Sequence, residues 1–219
     1  MKRATLTKIV HFLVKTLTRT EYLGGEYVPR EGGILITTNH LSRLDIPLLL
    51  FTPGREDVIA LATDKYKAHK LFKWILETAE CIWIDRDRAD FAAVRAGAEY
   101  LRKGGALGIA PEGTRSQTGG LIDGKPGTVL IAERTRVPIV PVGIAGSDTG
   151  FEKLKRLQRP HMVVRFGPAY MLPELDRNDR AGWMVRCTDE IMCRIAALLP
   201  PEHRGVYADH PRLKELLGS

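Results

Sequence analysis

Gly32-Gly33-Ile34-Leu35-Ile36-Thr37-Thr38-Asn39-His40-Leu41-Ser42-Arg43-Leu44-Asp45 is the stretch that decides the fold class. The glycine pair punctuates the chain, and the apolar run at 34–36 reads as a short buried strand. Polar residues follow at its carboxyl end. Residues 46–51 then predict a helix entered near Asp45 and Pro47. Strand, polar turn and helix make the repeating unit of an α/β sheet. In such sheets ligands sit beyond the carboxyl ends of the strands.

The alternation continues outward. Residues 58–62, 82–84, 107–110, 139–144 and 162–166 read as strands. Residues 65–80, 89–103, 128–134 and 179–199 read as helices, with Gly104-Gly105 ending the second and Pro200-Pro201 the last. The class is therefore α/β: a single domain over 25–219 with a mixed, mostly parallel central sheet flanked by helices. An N-terminal amphipathic helix occupies 1–24. Its apolar residues Leu6, Ile9, Val10, Leu13, Val14 and Leu17 recur at helical spacing, opposite Lys8, Lys15 and Arg19. Such a stripe suits either a helix packed on its own domain or one lying on a membrane. The apolar run is broken by His11 and closed by Lys15, so it reads as neither a signal peptide nor a span.

Composition bounds the rest. The 219 residues, 44% hydrophobic and 27% charged, exclude a disordered chain, and the unperiodic glycines and prolines exclude a low-complexity one. A net charge of +7 draws the protein to polyanions: nucleic acid, anionic lipid or phosphorylated substrates. Cys81, Cys187 and Cys193 are too few and scattered for a disulfide framework or a zinc site, and read as reduced and buried.

Four clusters carry chemistry. His40 stands just past a strand and Asp45 five residues on, so a turn folds the carboxylate back to the imidazole; the alternative has Asp45 capping the helix. No fitting nucleophile accompanies the pair, so the hydroxyl to be deprotonated belongs to the substrate. Ile84-Asp85-Arg86 again places polar residues at a strand end. Pro111-Glu112-Gly113-Thr114-Arg115-Ser116 follows a strand directly; Gly113 admits a ligand close to the backbone and Arg115 offers a planar fork suited to phosphate. Val137-Pro138-Ile139-Val140-Pro141-Val142 sets two prolines around a buried run, either an edge strand or the wall of an apolar pocket.

In this order, and with Lys125-Pro126-Gly127 between the last two, these clusters resemble the lysophosphatidate acyltransferase family of glycerolipid acyltransferases. Asn39, His40, Ser42 and Asp45 keep its first motif; Pro111 to Ser116 match its third in full. The resemblance covers about residues 28–170. It implies transfer of an acyl chain from acyl-CoA or acyl carrier protein to the sn-2 hydroxyl of 1-acylglycerol 3-phosphate, forming phosphatidate. It gives His40 the role of general base and Asp45 that of its support. Arg86, Arg115 and Lys125 hold the acceptor phosphate, and Asn39, Ser42, Arg43, Glu112, Gly113 and Thr114 complete the substrate-binding set. No metal or other cofactor is implied. The expected partners are the anionic lysolipid, the thioester and a membrane surface, with an acyl carrier protein as one donor. The expected seat is peripheral, on the cytoplasmic face. Glu80 stands where the family commonly has glycine, and Lys70 and Lys73 near its usual proline and glycine.

Other readings remain open on the residues alone. They are acylation of glycerol 3-phosphate or another lysolipid, a hydrolase in which His40 activates water, and a non-catalytic basic module for membrane or nucleic acid. A basic stretch with aromatic residues, Lys65, Tyr66, Lys67, Lys70, Phe72, Lys73 and Trp74, reads equally as a lipid-facing surface or a solvated helix face.

Overall fold

The computed structural model describes residues 2–85, 88 and 90–218. Helix α1 (Arg3–Leu17) leads into strand β1 (Arg19–Leu23), then β2 (Ile34–Thr38) and the short α2 (Asp45–Leu49). β3 (Val58–Thr63), α3 (Lys70–Thr78) and β4 (Ile82–Ile84) follow, then α4 (Phe91–Arg102) and β5 (Ala106–Ile109). α5 (Gly127–Thr135), β6 (Ile139–Ala145), α6 (Gly150–Lys155), β7 (His161–Phe166), α7 (Arg180–Ala197) and α8 (Pro211–Leu217) complete the chain. The seven strands form one sheet in the order β1-β7-β6-β2-β5-β3-β4. β6, β2, β5, β3 and β4 run parallel; β7 turns antiparallel against β6, and β1 pairs parallel with β7. The α/β class with a mixed, mostly parallel sheet is therefore what the chain adopts.

The sheet is covered on both faces, which is why its central strands read as continuous apolar runs rather than alternating ones. Leu35, Ile59, Leu107 and Ile139 face one layer, packed against Leu101 of α4, Ile131 of α5 and Trp183, Ile191 and Ile195 of α7. Ile34, Ile36, Val140 and Val142 face the other, with Leu48 and Leu49 of α2 and Phe166 of β7. Asp90 caps α4 by accepting from Ala93 N at 2.9 Å, and Asp179 caps α7 by accepting from Gly182 N at 2.9 Å.

Four details differ from the sequence reading. Residues 19–23 of the N-terminal segment form the edge strand of the sheet, stitched in by Arg19 N to Pro160 O at 2.8 Å and Tyr22 Oη to Leu48 O at 3.1 Å. The helix read over 65–80 divides at His69, with a 3₁₀ turn over Asp64–Ala68 before α3. The proline strand β6 lies inside the sheet, between β2 and β7. Pro141 is tolerated there because it sits where β7 has ended, and its carbonyl accepts from Gly167 N at 2.8 Å. Finally, the stripe on α1 is split. Leu6 is buried and Val10 and Val14 pack on the core, while Ile9, Leu13 and Leu17, together with Phe12, stay exposed.

Candidate active site

The polar groups converge where β2, β5 and β6 end. β2 delivers Asn39 and His40 at its carboxyl end. Asn39 is buried, and its side-chain amide continues the ladder into β6, donating to Ile144 O and accepting from Ile144 N, both at 2.8 Å. That fixes where the chain turns. His40 follows, and Asp45 folds back to it: His40 Nδ1 lies 2.9 Å from Asp45 Oδ2. The carboxylate caps no helix. It also accepts from Leu41 N and Ser42 N, each at 2.8 Å, and its other oxygen accepts from Ser147 Oγ at 2.5 Å. Asp45 is only 1% exposed. A buried carboxylate with this many donors stays oriented and stabilises positive charge on the ring it faces. With Nδ1 so engaged, Nε2 is the nitrogen left to exchange a proton; among the described residues it has no hydrogen-bond partner.

β5 delivers the second loop. Glu112 is buried, and its two oxygens are used by backbone amides: His40 N at 2.8 Å and Ile122 N at 3.0 Å. Ser116 N returns to His40 O at 2.8 Å. The two loops are thus stapled together through the backbone of His40. Burial pushes the Glu112 carboxyl up to about 7, against the pull of the two amides. Gly113 adopts φ +69°, a backbone angle that calls for glycine, and it lies against the Lys125 side chain.

Two hollows meet at this point. One is an apolar cavity of about 350 Å³ between the sheet and α4 and α5, walled by Ile46, Leu49, Leu61, Val94, Leu130 and Ile131. The other is a basin of about 360 Å³ whose walls include Arg43, Lys65, His69, Arg115 and Lys125 and, among the described residues, no acidic one. His40, Gly113 and Lys125 line both.

The sequence-derived residues therefore divide. His40 and Asp45 are joined directly. Arg43, Gly113, Thr114, Arg115 and Lys125 line the basin. Asn39, Ser42 and Glu112 are buried and bonded to backbone amides or carbonyls, where they shape the loops. Arg86 lies outside the described residues. Sequence reasoning missed Ser147, fully buried against Asp45, whose only signal is a polar residue after Gly146 at the end of an apolar strand. It also missed Thr63 and His69 on the basin wall, and placed Tyr66 on a lipid-facing or solvated helix face rather than in the basin.

A histidine held by a buried carboxylate, between an apolar cavity and a cationic basin, defines an acid–base site for a molecule with an apolar tail and an anionic head. The chain belongs to the Acyltransferase family, whose model matches residues 19–145. It is 36% identical over 141 residues to a Mycoplasma pneumoniae protein named "Probable 1-acyl-sn-glycerol-3-phosphate acyltransferase", covering 61% of this chain and 52% of that one. It is 34% identical over 130 residues to the 1-acyl-sn-glycerol-3-phosphate acyltransferase of Cocos nucifera, covering 58% of this chain and 42% of that one. The chain spans about half the length of the curated relatives it matches. Its fold is that of the crystal structure of the 1-acyl-sn-glycerophosphate acyltransferase PlsC from Thermotoga maritima, with a TM-score of 0.64 at 21% identity over 86% of this chain and 76% of that one.

Proposed function

We propose that the protein transfers an acyl group from an acyl thioester to the sn-2 hydroxyl of 1-acylglycerol 3-phosphate, forming phosphatidate. The observation that carries this reading is the position of His40 at the junction of the apolar cavity and the basic basin. A phosphate seated against Arg115, Lys125 and Arg43 leaves the glycerol hydroxyl near His40, while an acyl chain has an apolar cavity to enter. The names of the matched relatives point the same way.

In this reading His40 Nε2 takes the hydroxyl proton as the oxygen attacks the thioester carbonyl. Asp45 steadies the imidazolium that results. The tetrahedral oxyanion collapses, the C–S bond breaks, and the thiolate leaves with the proton returned by His40. A thiolate leaves readily, so the chemistry calls for no covalent enzyme intermediate, metal or other cofactor. The amides of His40, Leu41, Ser42 and Gly113 are already engaged within the protein. That leaves the amides of Thr114 and Arg115, in the turn lining the basin, as the oxyanion donors we assign.

The same reading seats the protein peripherally on the cytoplasmic face of the membrane. Among the described residues no helix is long and apolar enough to cross one. α1 and α3 touch, and both expose large apolar side chains: Phe12 is 67% exposed, Leu71 66% and Trp74 45%. Lys8, Lys15, Lys70 and Lys73 on the same helices would meet anionic headgroups at about 1 kcal/mol each.

Incubating the purified protein with 1-acylglycerol 3-phosphate and palmitoyl-CoA tests the transfer, with thiol release and lipid product followed by mass spectrometry. Equal amounts of thiol and phosphatidate are expected. Free fatty acid without lipid product would make the protein a hydrolase; no turnover with CoA or carrier-protein thioesters would overturn the reading.

A further inference from the structure

Lys125, which lines both hollows, sits near the end of a stretch with no helix or strand of its own, residues 116–126 between β5 and α5. Such a stretch keeps one conformation only through bonds to its neighbours. Its inner side faces the catalytic loops. Ser116 N donates to His40 O at 2.8 Å, Ile122 N to Glu112 Oε2 at 3.0 Å and Lys125 N to Pro111 O at 2.9 Å. Its outer side is gripped by the segment after α7, which forms two 3₁₀ turns, Pro201–His203 and Gly205–Tyr207. His203 Nδ1 donates to Gly119 O at 2.6 Å. Leu121 N donates to His203 O and Val206 N to Leu121 O, both at 3.0 Å. Gly124 N donates to the buried Tyr207 Oη at 3.1 Å. The two backbones touch: a Cβ on Gly205 would collide with Leu121 O, and one on Gly120 would stand 2.8 Å from Gly205 Cα.

These outer bonds all land between Gly119 and Gly124, and the next residue is Lys125. Among the described residues, none of 201–207 lines either hollow. Whatever the turns do to a ligand therefore passes through the loop they hold. Asp45 orients His40 through bonds that the turns do not touch, so their action falls on binding rather than on proton transfer. We infer that the two turns are a strap that fixes the 116–126 loop, and Lys125 with it, for the anionic headgroup of the acceptor, with His203 and Tyr207 as positioning residues. The inference rests on the acyl-transfer reading for the identity of that headgroup.

The test compares the native protein with His203→Ala, His203→Asn and Tyr207→Phe, each with its melting temperature. The probe is 1-hexanoylglycerol 3-phosphate, a water-soluble acceptor. Its Kd is measured by titration calorimetry without thioester, and its KM from initial rates at saturating palmitoyl-CoA. For His203→Ala the expected result is a rise of about fivefold or more in acceptor Kd and KM, with kcat within about threefold of native and the palmitoyl-CoA KM within about twofold. His203→Asn, whose amide can still donate to Gly119 O, should restore both to within about twofold of native. Tyr207→Phe removes only the acceptor of Gly124 N and should raise both severalfold; it carries the test if His203→Ala does not fold. In a Lys125→Ala background the same substitutions should change acceptor KM by less than about twofold, because the group they position is gone. Unchanged Kd and KM in the folded variants would overturn the inference. So would a lower kcat at native KM with a depressed melting temperature, which would make the turns a brace for stability alone. A full rise in KM that persists without Lys125 would overturn it too. Strap-dependent binding of the probe with no phosphatidate from any thioester would leave the strap standing and sink the transferase reading instead, and a native protein that neither binds nor acylates the probe would overturn both.

Discussion

The two ends of the parallel sheet each join a carboxylate to a basic side chain, a half-exposed Asp57 to the buried Arg55 at one end and a buried Asp45 to His40 at the other, and they are used in opposite ways. At the amino end Arg55 clamps the starts of three strands. Its guanidinium makes a fork to Asp57 at 2.8 and 2.7 Å and donates to Gly32 O and Gly104 O, both at 2.8 Å. Asp57 in turn accepts from Ala106 N, and its own carbonyl accepts from Tyr100 Oη. The Arg55 guanidinium holds the Asp57 carboxyl below the usual carboxylate range. Each of these donors and acceptors is spent on the fold. At the carboxyl end Asp45 is as well satisfied, but the histidine it holds keeps one nitrogen aimed at open space. A pair with its donors and acceptors spent on neighbouring backbone stabilises; a buried pair with one nitrogen left over is equipped to react.

Breaking each end should separate the two roles. The largest effect on stability is expected for Arg55→Ala, which strips carbonyls before β2 and β5 of their donor. Stability should fall by about 2–3 kcal/mol in denaturant titration, the half-exposed Asp57 being left to water, while turnover per folded molecule stays near native. Ser147→Ala removes one donor to Asp45 and should lower kcat by about tenfold with little change in KM, the value of one hydrogen bond to a charged group. Stability also carries a pH dependence set by Glu112. Its carboxyl is raised from 4.5 to about 7 in the folded chain, so the unfolded chain releases that proton first. The stability it contributes is fully present below pH 4.5 and is lost as pH rises through 7. The melting temperature of Glu112→Gln should lack that component of the slope.

Much of this was legible in the sequence, because the strands at the centre of the sheet are buried on both faces and announce themselves as apolar runs. The pairing of His40 with Asp45 was readable from a five-residue interval at a strand end. What was hidden was tertiary. Arg19–Leu23 has no strand pattern of its own and becomes one only by pairing with β7. Glu112 and Asn39 looked like ligand-binding residues because they are polar and lie in motifs, yet backbone amides and carbonyls 72 and 105 positions away in sequence claim their side chains. Glu80 stands where a glycine was expected, and the structure shows the reason for the expectation: its φ is +59°, in the left-handed region. Its carboxylate is tied to Arg3 Nη1 at 3.0 Å on the surface. Glu80→Gly should relieve the strained angle and raise stability by about 0.5 kcal/mol once the looser unfolded chain and the surface ion pair are subtracted, the smallest change foreseen.

The most direct measurement is the turnover of His40→Ala beside its melting temperature, in the assay that follows thiol release and phosphatidate. The arrangement at the carboxyl end predicts a fall in kcat of about 10³-fold or more with a melting temperature within a few degrees of native. Phosphatidate formed at near-native rate by a folded His40→Ala protein would contradict the assignment of this end of the sheet as the site of chemistry.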